Sequence, residues 1–201
     1  MLFVIDNMIS FVNHHFYFFV SIFFVSVEIA KRLRRYFFLK CDLYTSIIEP
    51  YTTFTSTSMT ISTIYYLLIL SGKKVDNFFV CILLLAFVVS LFHWTVLNGL
   101  NDFAEIGIFA KFSGLTFHLL NLIIPMYEFF IIRNRNIKIN KMSLIYASII
   151  LILYGMSAHL RVTLKYSQDY PYFAKQKSFV FFGCICLITC FGVWTILRFV
   201  M

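Results

Sequence analysis

An apolar run at residues 114–131, GLTFHLLNLIIPMYEFFI, carries His118, Asn121, Pro125 and Glu128. An imidazole ionises near neutral pH, so it can take a proton from a hydroxyl and return it to a leaving group. At about 100° per residue on an ideal helix, Asn121 lies about 60° from His118, Pro125 about 20° and Glu128 about 80°, so the four share one arc. Ionisable groups are expensive to hold in an apolar helix. They face a protein interior or a water-filled cavity, and a functional site is the default reading. Glu128 follows His118 by ten residues, about 15 Å along a helix axis and too far to orient the ring. An edge position and pairing with Arg133 or Arg135 suit it better. Asn121, one turn from His118, is placed to help hold the imidazole.

A base needs a nucleophile, and the second polar stretch is YTTFTSTSMTISTIYYLLIL at 51–70. Nine of the twelve residues from Thr52 to Thr63 are Ser or Thr. In an apolar helix most such hydroxyls bond back to a carbonyl one turn earlier or bridge to a neighbouring helix. One that lies beside a base can instead be activated to act as a nucleophile. His93 and Trp94, in FHWTVLNGLND at 92–102, read as interfacial anchors, and His159 and Arg161 open an interfacial loop. His14 and His15 are adjacent, hence about 100° apart on a helix, and make a poor metal pair. HExxH, GxSxG, HxxxxD, Walker A and GxGxxG motifs are absent. No metal or organic cofactor is expected.

The elements that must position these residues follow from composition. The chain of 201 residues is 61% hydrophobic and 13% charged, with a mean hydropathy of +0.85, against roughly 25% charged for soluble domains. The expectation is an all-α, polytopic integral membrane protein forming one domain over 1–201. A spanning helix needs about 20 mainly apolar residues. Six segments qualify, at 9–30, 53–71, 77–98, 112–133, 143–163 and 178–200. Their short connections predict a compact bundle of antiparallel neighbours. The first apolar run lacks a basic start and a small-residue cleavage site, so it reads as a retained helix rather than a signal peptide. Net charge is +8, but the basic residues cluster as KRLRR at 31–35, KK at 73–74 and RNRNIKINK at 133–141, each beside an apolar segment. That pattern suits topology and anionic lipid headgroups, and not nucleic acid. The cysteines show no CxxC and no disulfide spacing, and read as small apolar fillers. Cys41, beside Lys40, is open to palmitoylation.

Four stretches, in order, resemble one family. YTTF at 51–54 resembles an aromatic-x-Thr-Phe at the start of its second helix, and LLLAFVVSLFHWTVLNGLND resembles its third helix. HLLNLIIPMYE resembles a His- and Pro-containing helix that ends in Glu ten residues after the His, and YPYF resembles a Tyr-Pro-Phe element before its last helix. The family is the androgen-induced gene product and androgen-dependent TFPI-regulating protein group of six-span membrane proteins. The resemblance implies a threonine hydrolase that cleaves fatty acid esters of hydroxy fatty acids within the membrane, with one Thr and one His. Carried over by motif, the His is His118 and the Thr is Thr53. Aligning the aromatic pair Tyr65 and Tyr66 instead shifts the register by two residues and selects Thr55. Asn121, Trp94 and Glu128 are the supporting or substrate-binding candidates. The implied partners are a fatty acyl ester substrate and membrane lipids, and the implied location is the endoplasmic reticulum or the plasma membrane. The alternative is a non-catalytic membrane protein: a small transporter, a lipid-binding protein or an accessory subunit.

Overall fold

The computed structural model describes residues 2–33, 36–37, 40, 42–43, 47, 54–73, 75–92, 116–133, 137, 139–163 and 176–200. Among these the chain forms six helices and no strand. They are α1 (Leu2–Leu33), α2 (Phe54–Leu70), α3 (Asp76–Leu91), α4, α5 (Lys141–Thr163) and α6 (Gln176–Val200). Helix α4 joins three stretches end to end: a π turn at Thr116–Leu120, an α-helical segment at Asn121–Tyr127, and a second π turn at Glu128–Ile132. Five of the six segments expected from hydropathy agree with these helices to within a few residues, and α1 is longer. The proposed ends at 93–98 and 112–115 lie outside the described residues.

Helix α3 is the axle. Its side chains are apolar on every face, and a helix with no polar face must be surrounded. It packs against α2, α4, α5 and α6, while α1 lies on α2 and α6 on α5. Phe79 through Ala86 are all buried, and Leu83, Leu84 and Leu85 have no exposed surface.

Local signals set the ends of the helices around this axle. Gly72, at φ 81°, terminates α2, where a left-handed residue is required and glycine bears no steric penalty. Lys73 N–H donates to Leu68 O at 3.0 Å and Gly72 N–H to Ile69 O at 2.8 Å, satisfying the last carbonyls and turning the chain into α3. Asn140 caps α5, its Oδ1 accepting from Met142 and Ser143 N–H at 2.9 and 3.3 Å, the usual remedy for orphan donors at a helix start. Its amide also donates to Asn77 Oδ1 at 2.7 Å, and its carbonyl accepts from Trp194 Nε1 at 3.2 Å. One residue thus ties α3, α5 and α6 together.

Large apolar side chains also cover the outside. Leu153, Ile188 and Phe199 are 60%, 70% and 86% exposed, and Phe19, Ile64, Leu67, Ile131 and Met156 are likewise exposed. Among the described residues one helix, Lys141–Leu160, is long and apolar enough to cross a membrane. Phe54–Leu70, Asp76–Phe92, His118–Ile132 and Gly183–Phe199 are apolar but shorter, each within 10–17 residues. Cys81 and Cys190 are buried free thiols, consistent with filling space, and Cys184 and Cys186 are also free.

If α3 is the packing centre, Leu84→Ala should lower stability by about 2–5 kcal/mol, because four neighbouring helices cannot all collapse into the void. Leu153→Ala, on an exposed face, should change it by no more than about 0.5 kcal/mol. Unfolding of the two variants in detergent provides the comparison.

Candidate functional site

Most of the buried polar groups of α2 and α4 meet at the seam between these two helices. Glu128 has no exposed surface. Its Oε1 accepts from the Tyr65 hydroxyl at 2.5 Å, the Tyr17 hydroxyl at 3.1 Å and Arg133 Nε at 2.7 Å. Arg133 also donates from Nη2 to Tyr65 Oη at 2.7 Å and from Nη1 to Asp76 at 2.5 Å, and its guanidinium lies 4.9 Å from the centre of the Phe79 ring. The cluster joins α1, α2, α3 and α4. The pairing with Arg133 matches expectation, but the edge position does not: Glu128 is walled in by tyrosines from two helices. Arg135 lies outside the described residues. With all three of its nitrogens engaged, Arg133 holds the bundle rather than offering itself to a ligand.

A second rung crosses the same seam. Asn121 has no exposed surface, and its Nδ2 donates to Ser58 Oγ at 3.1 Å. Ser62 Oγ lies 3.5 Å from Asn121 Oδ1 while donating to Ser58 O at 3.0 Å. The amide is therefore taken up by α2, in place of the His118 ring that sequence spacing suggested.

These rungs share one register. Ser58 with Asn121 and Tyr65 with Glu128 are both 63 residues apart. Helices α2 and α4 therefore run parallel to each other, and one stripe of each follows intervals of three, four and three: 55, 58, 62 and 65 on one, 118, 121, 125 and 128 on the other, polar at every position but Pro125. Extending the register one turn toward the helix starts brings Thr55 to the height of His118. The first turn of α4 packs against both α2 and α3, and Ser90 of α3 donates to the His118 carbonyl at 2.7 Å. Pro125, inside α4 and buried, has no N–H to give the Asn121 carbonyl. The π turns on either side of this segment put His118 in one widened turn and Glu128 at the start of the other, a deformation that concentrates at functional sites.

The α2 hydroxyls are not equivalent. Thr60, Ser62 and Thr63 donate to the carbonyls of Ser56, Ser58 and Met59 at 2.9, 3.0 and 2.9 Å, as expected for hydroxyls in an apolar helix. The residue one turn before Thr55, Tyr51, lies outside the described residues. Thr53 and Trp94 lie outside the described residues, as does His93. Sequence reasoning missed Ser58, Ser90, Tyr17 and Tyr65 as members of these polar layers. For Ser58 and Tyr65 a signal existed, in the heptad-like spacing that matches that of α4.

Tyr65 and Tyr66 give an atomic test of this arrangement. Both are fully buried, but the Tyr66 hydroxyl has no hydrogen-bond partner among the described residues. Tyr65→Phe should lower stability by about 1.5–3 kcal/mol, the range for hydrogen bonds to charged groups, and should cost more than Tyr66→Phe. Equal losses in thermal unfolding would contradict the network. Compared with protein-family models, with curated proteins and with solved structures, the chain finds no match.

Proposed function

We propose that the chain is a multi-pass membrane protein with six spanning helices that hydrolyses fatty acyl esters, using Thr55 as nucleophile and His118 as base. The observation that supports the reading is the common register of α2 and α4 in two hydrogen-bonded rungs, whose extension by one turn would bring Thr55 to the height of His118. It favours Thr55 over Thr53, which lies about 200° away on an ideal helix.

The membrane setting is supported by the distribution of polarity. Asn121, Glu128, Ser58 and Ser62 are buried, while large apolar side chains are exposed on every helix, on α3 only at its last residue, Leu91. Water would penalise such a surface, and a soluble monomer rarely exposes extended apolar patches. Lipid accommodates it, since every helical backbone group is satisfied internally. The 17 residues of α2 rise about 26 Å, close to the lower limit for a span. The endoplasmic reticulum or the plasma membrane is the proposed location.

In the reaction, Thr55 Oγ attacks the ester carbonyl carbon as His118 takes its proton. The carbon–oxygen bond to the alcohol breaks, and His118 returns the proton to the departing alkoxide. Water, deprotonated by the same imidazole, then releases the fatty acid from Thr55. The substrate enters sideways from the bilayer, with its carboxylate or headgroup near the basic loops.

The protein should remain with membranes after alkaline extraction, and detergent-solubilised protein should be labelled covalently by a fluorophosphonate. Thr55→Ala and His118→Ala should lose labelling and reduce hydrolysis of a long-chain 4-methylumbelliferyl ester by at least about 10³-fold. Thr53→Ala should retain both. Labelling that depends on Thr53 instead would move the nucleophile by two residues. Folded parent protein that neither labels nor hydrolyses the ester would replace the enzyme with a non-catalytic lipid-binding or accessory role.

A further inference from the structure

A hydroxyl buried in an apolar helix ordinarily gives its hydrogen to the carbonyl one turn back. Thr60, Ser62 and Thr63 follow this rule, and Ser58 departs from it. Ser58 is 1% exposed, and its Oγ accepts from Asn121 Nδ2 at 3.1 Å, yet its own hydrogen has no acceptor among the described residues. The donor that holds it is itself fully buried. A hydroxyl fixed through its oxygen, with its hydrogen uncommitted in a dry environment, is preorganised to donate to charge that appears only transiently.

We propose that Ser58 is the oxyanion donor of this site and that Asn121 is the residue that positions it; the inference rests on the hydrolase reading with Thr55 and His118. Ser58 is three residues beyond Thr55, about 60° away around the helix and about 4.5 Å along it. It therefore occupies the same face, one turn deeper, within reach of an oxygen on a carbon bonded to Thr55 Oγ. When Thr55 Oγ forms its bond to the acyl carbon, its proton passes to His118 and the carbonyl π pair moves onto oxygen. Ser58 Oγ–H donates to that oxygen while Oγ keeps its bond from Asn121. Collapse of the tetrahedral species restores the carbonyl, expels the alkoxide with the proton from His118, and leaves Ser58 unchanged. Ser58 thus takes part in no net proton transfer, and its contribution is confined to the charged intermediate and the transition states around it. Substrate binding, which precedes that charge, does not depend on it.

The test uses the full chain in detergent with the long-chain 4-methylumbelliferyl ester. Ser58→Ala should lower kcat by about 10²–10³-fold with KM unchanged, as removal of one oxyanion donor does. Ser58→Thr, which keeps the hydroxyl, should recover most of that loss. Asn121→Ala should lower kcat in the same sense, because the hydroxyl loses its anchor. Parental kcat in Ser58→Ala, with Thr55→Ala and His118→Ala inactive, would overturn this inference and leave the hydrolase reading standing. An activity loss in Ser58→Ala that tracks a lower melting temperature and is not recovered by Ser58→Thr would make Ser58 a packing residue and also overturn it. A folded parent protein without hydrolysis would remove the hydrolase reading and this inference together.

Discussion

A carboxylate without solvent must find all its stabilisation inside the protein, and in this bundle Glu128 is that carboxylate. Its partners come from α1 through Tyr17, from α2 through Tyr65, and from the end of its own helix through Arg133. Arg133 extends the cluster to Asp76 at the start of α3. Sliding any of these helices by one turn would leave a charge or a phenol unpaired in an apolar interior. The cluster therefore sets relative heights to within a turn. Because α2 and α4 carry polar residues at the same intervals, the height set by Tyr65 and Glu128 is the height at which Asn121 meets Ser58. The geometry at His118, at the far end of the seam, depends on a pair of charges near the other end.

Helix α3 contributes to this by having almost nothing polar to offer. It sits among four helices because no face of it suits water, and it leaves α2 and α4 to pair their polar stripes with each other. Ser90 is its one buried polar side chain, and it bonds to the carbonyl of His118. The seam is polar at its rungs and apolar around them. In such surroundings a hydroxyl or an imidazole is worth more electrostatically than it would be in water. The apolar exterior and the polar seam are two consequences of one partition: polar groups are placed where they can satisfy one another, and apolar side chains fill everything else.

Much of this was legible in the sequence. The helical class and the helix positions followed from apolar runs broken by turn and charge signals, since each run reports its own burial and needs no partner to be recognised. The polar arc of α4 was readable from spacing, and so was the pairing of Glu128 with Arg133, which lies one turn on in the same helix. The interior position of Glu128 was not, because its closest enclosure comes from Tyr17 and Tyr65, 111 and 63 residues away. For Asn121, proximity along the helix pointed to His118, and the better partner was Ser58 across the seam.

The sequence by itself determined that this chain makes apolar helices, that α2 and α4 carry polar stripes, and that a histidine lies among hydroxyls of uncertain register. These are properties of single segments, set by side-chain type and by the period of the helix. Only the tertiary structure decided which stripe faces which, and at what height. The hydroxyls of α2 are chemically alike, so no local rule singles out Ser58. The distinction comes from a neighbour. A buried amide and a buried carboxylate on α4 each demand a partner, and both demands are met in one register of the two helices.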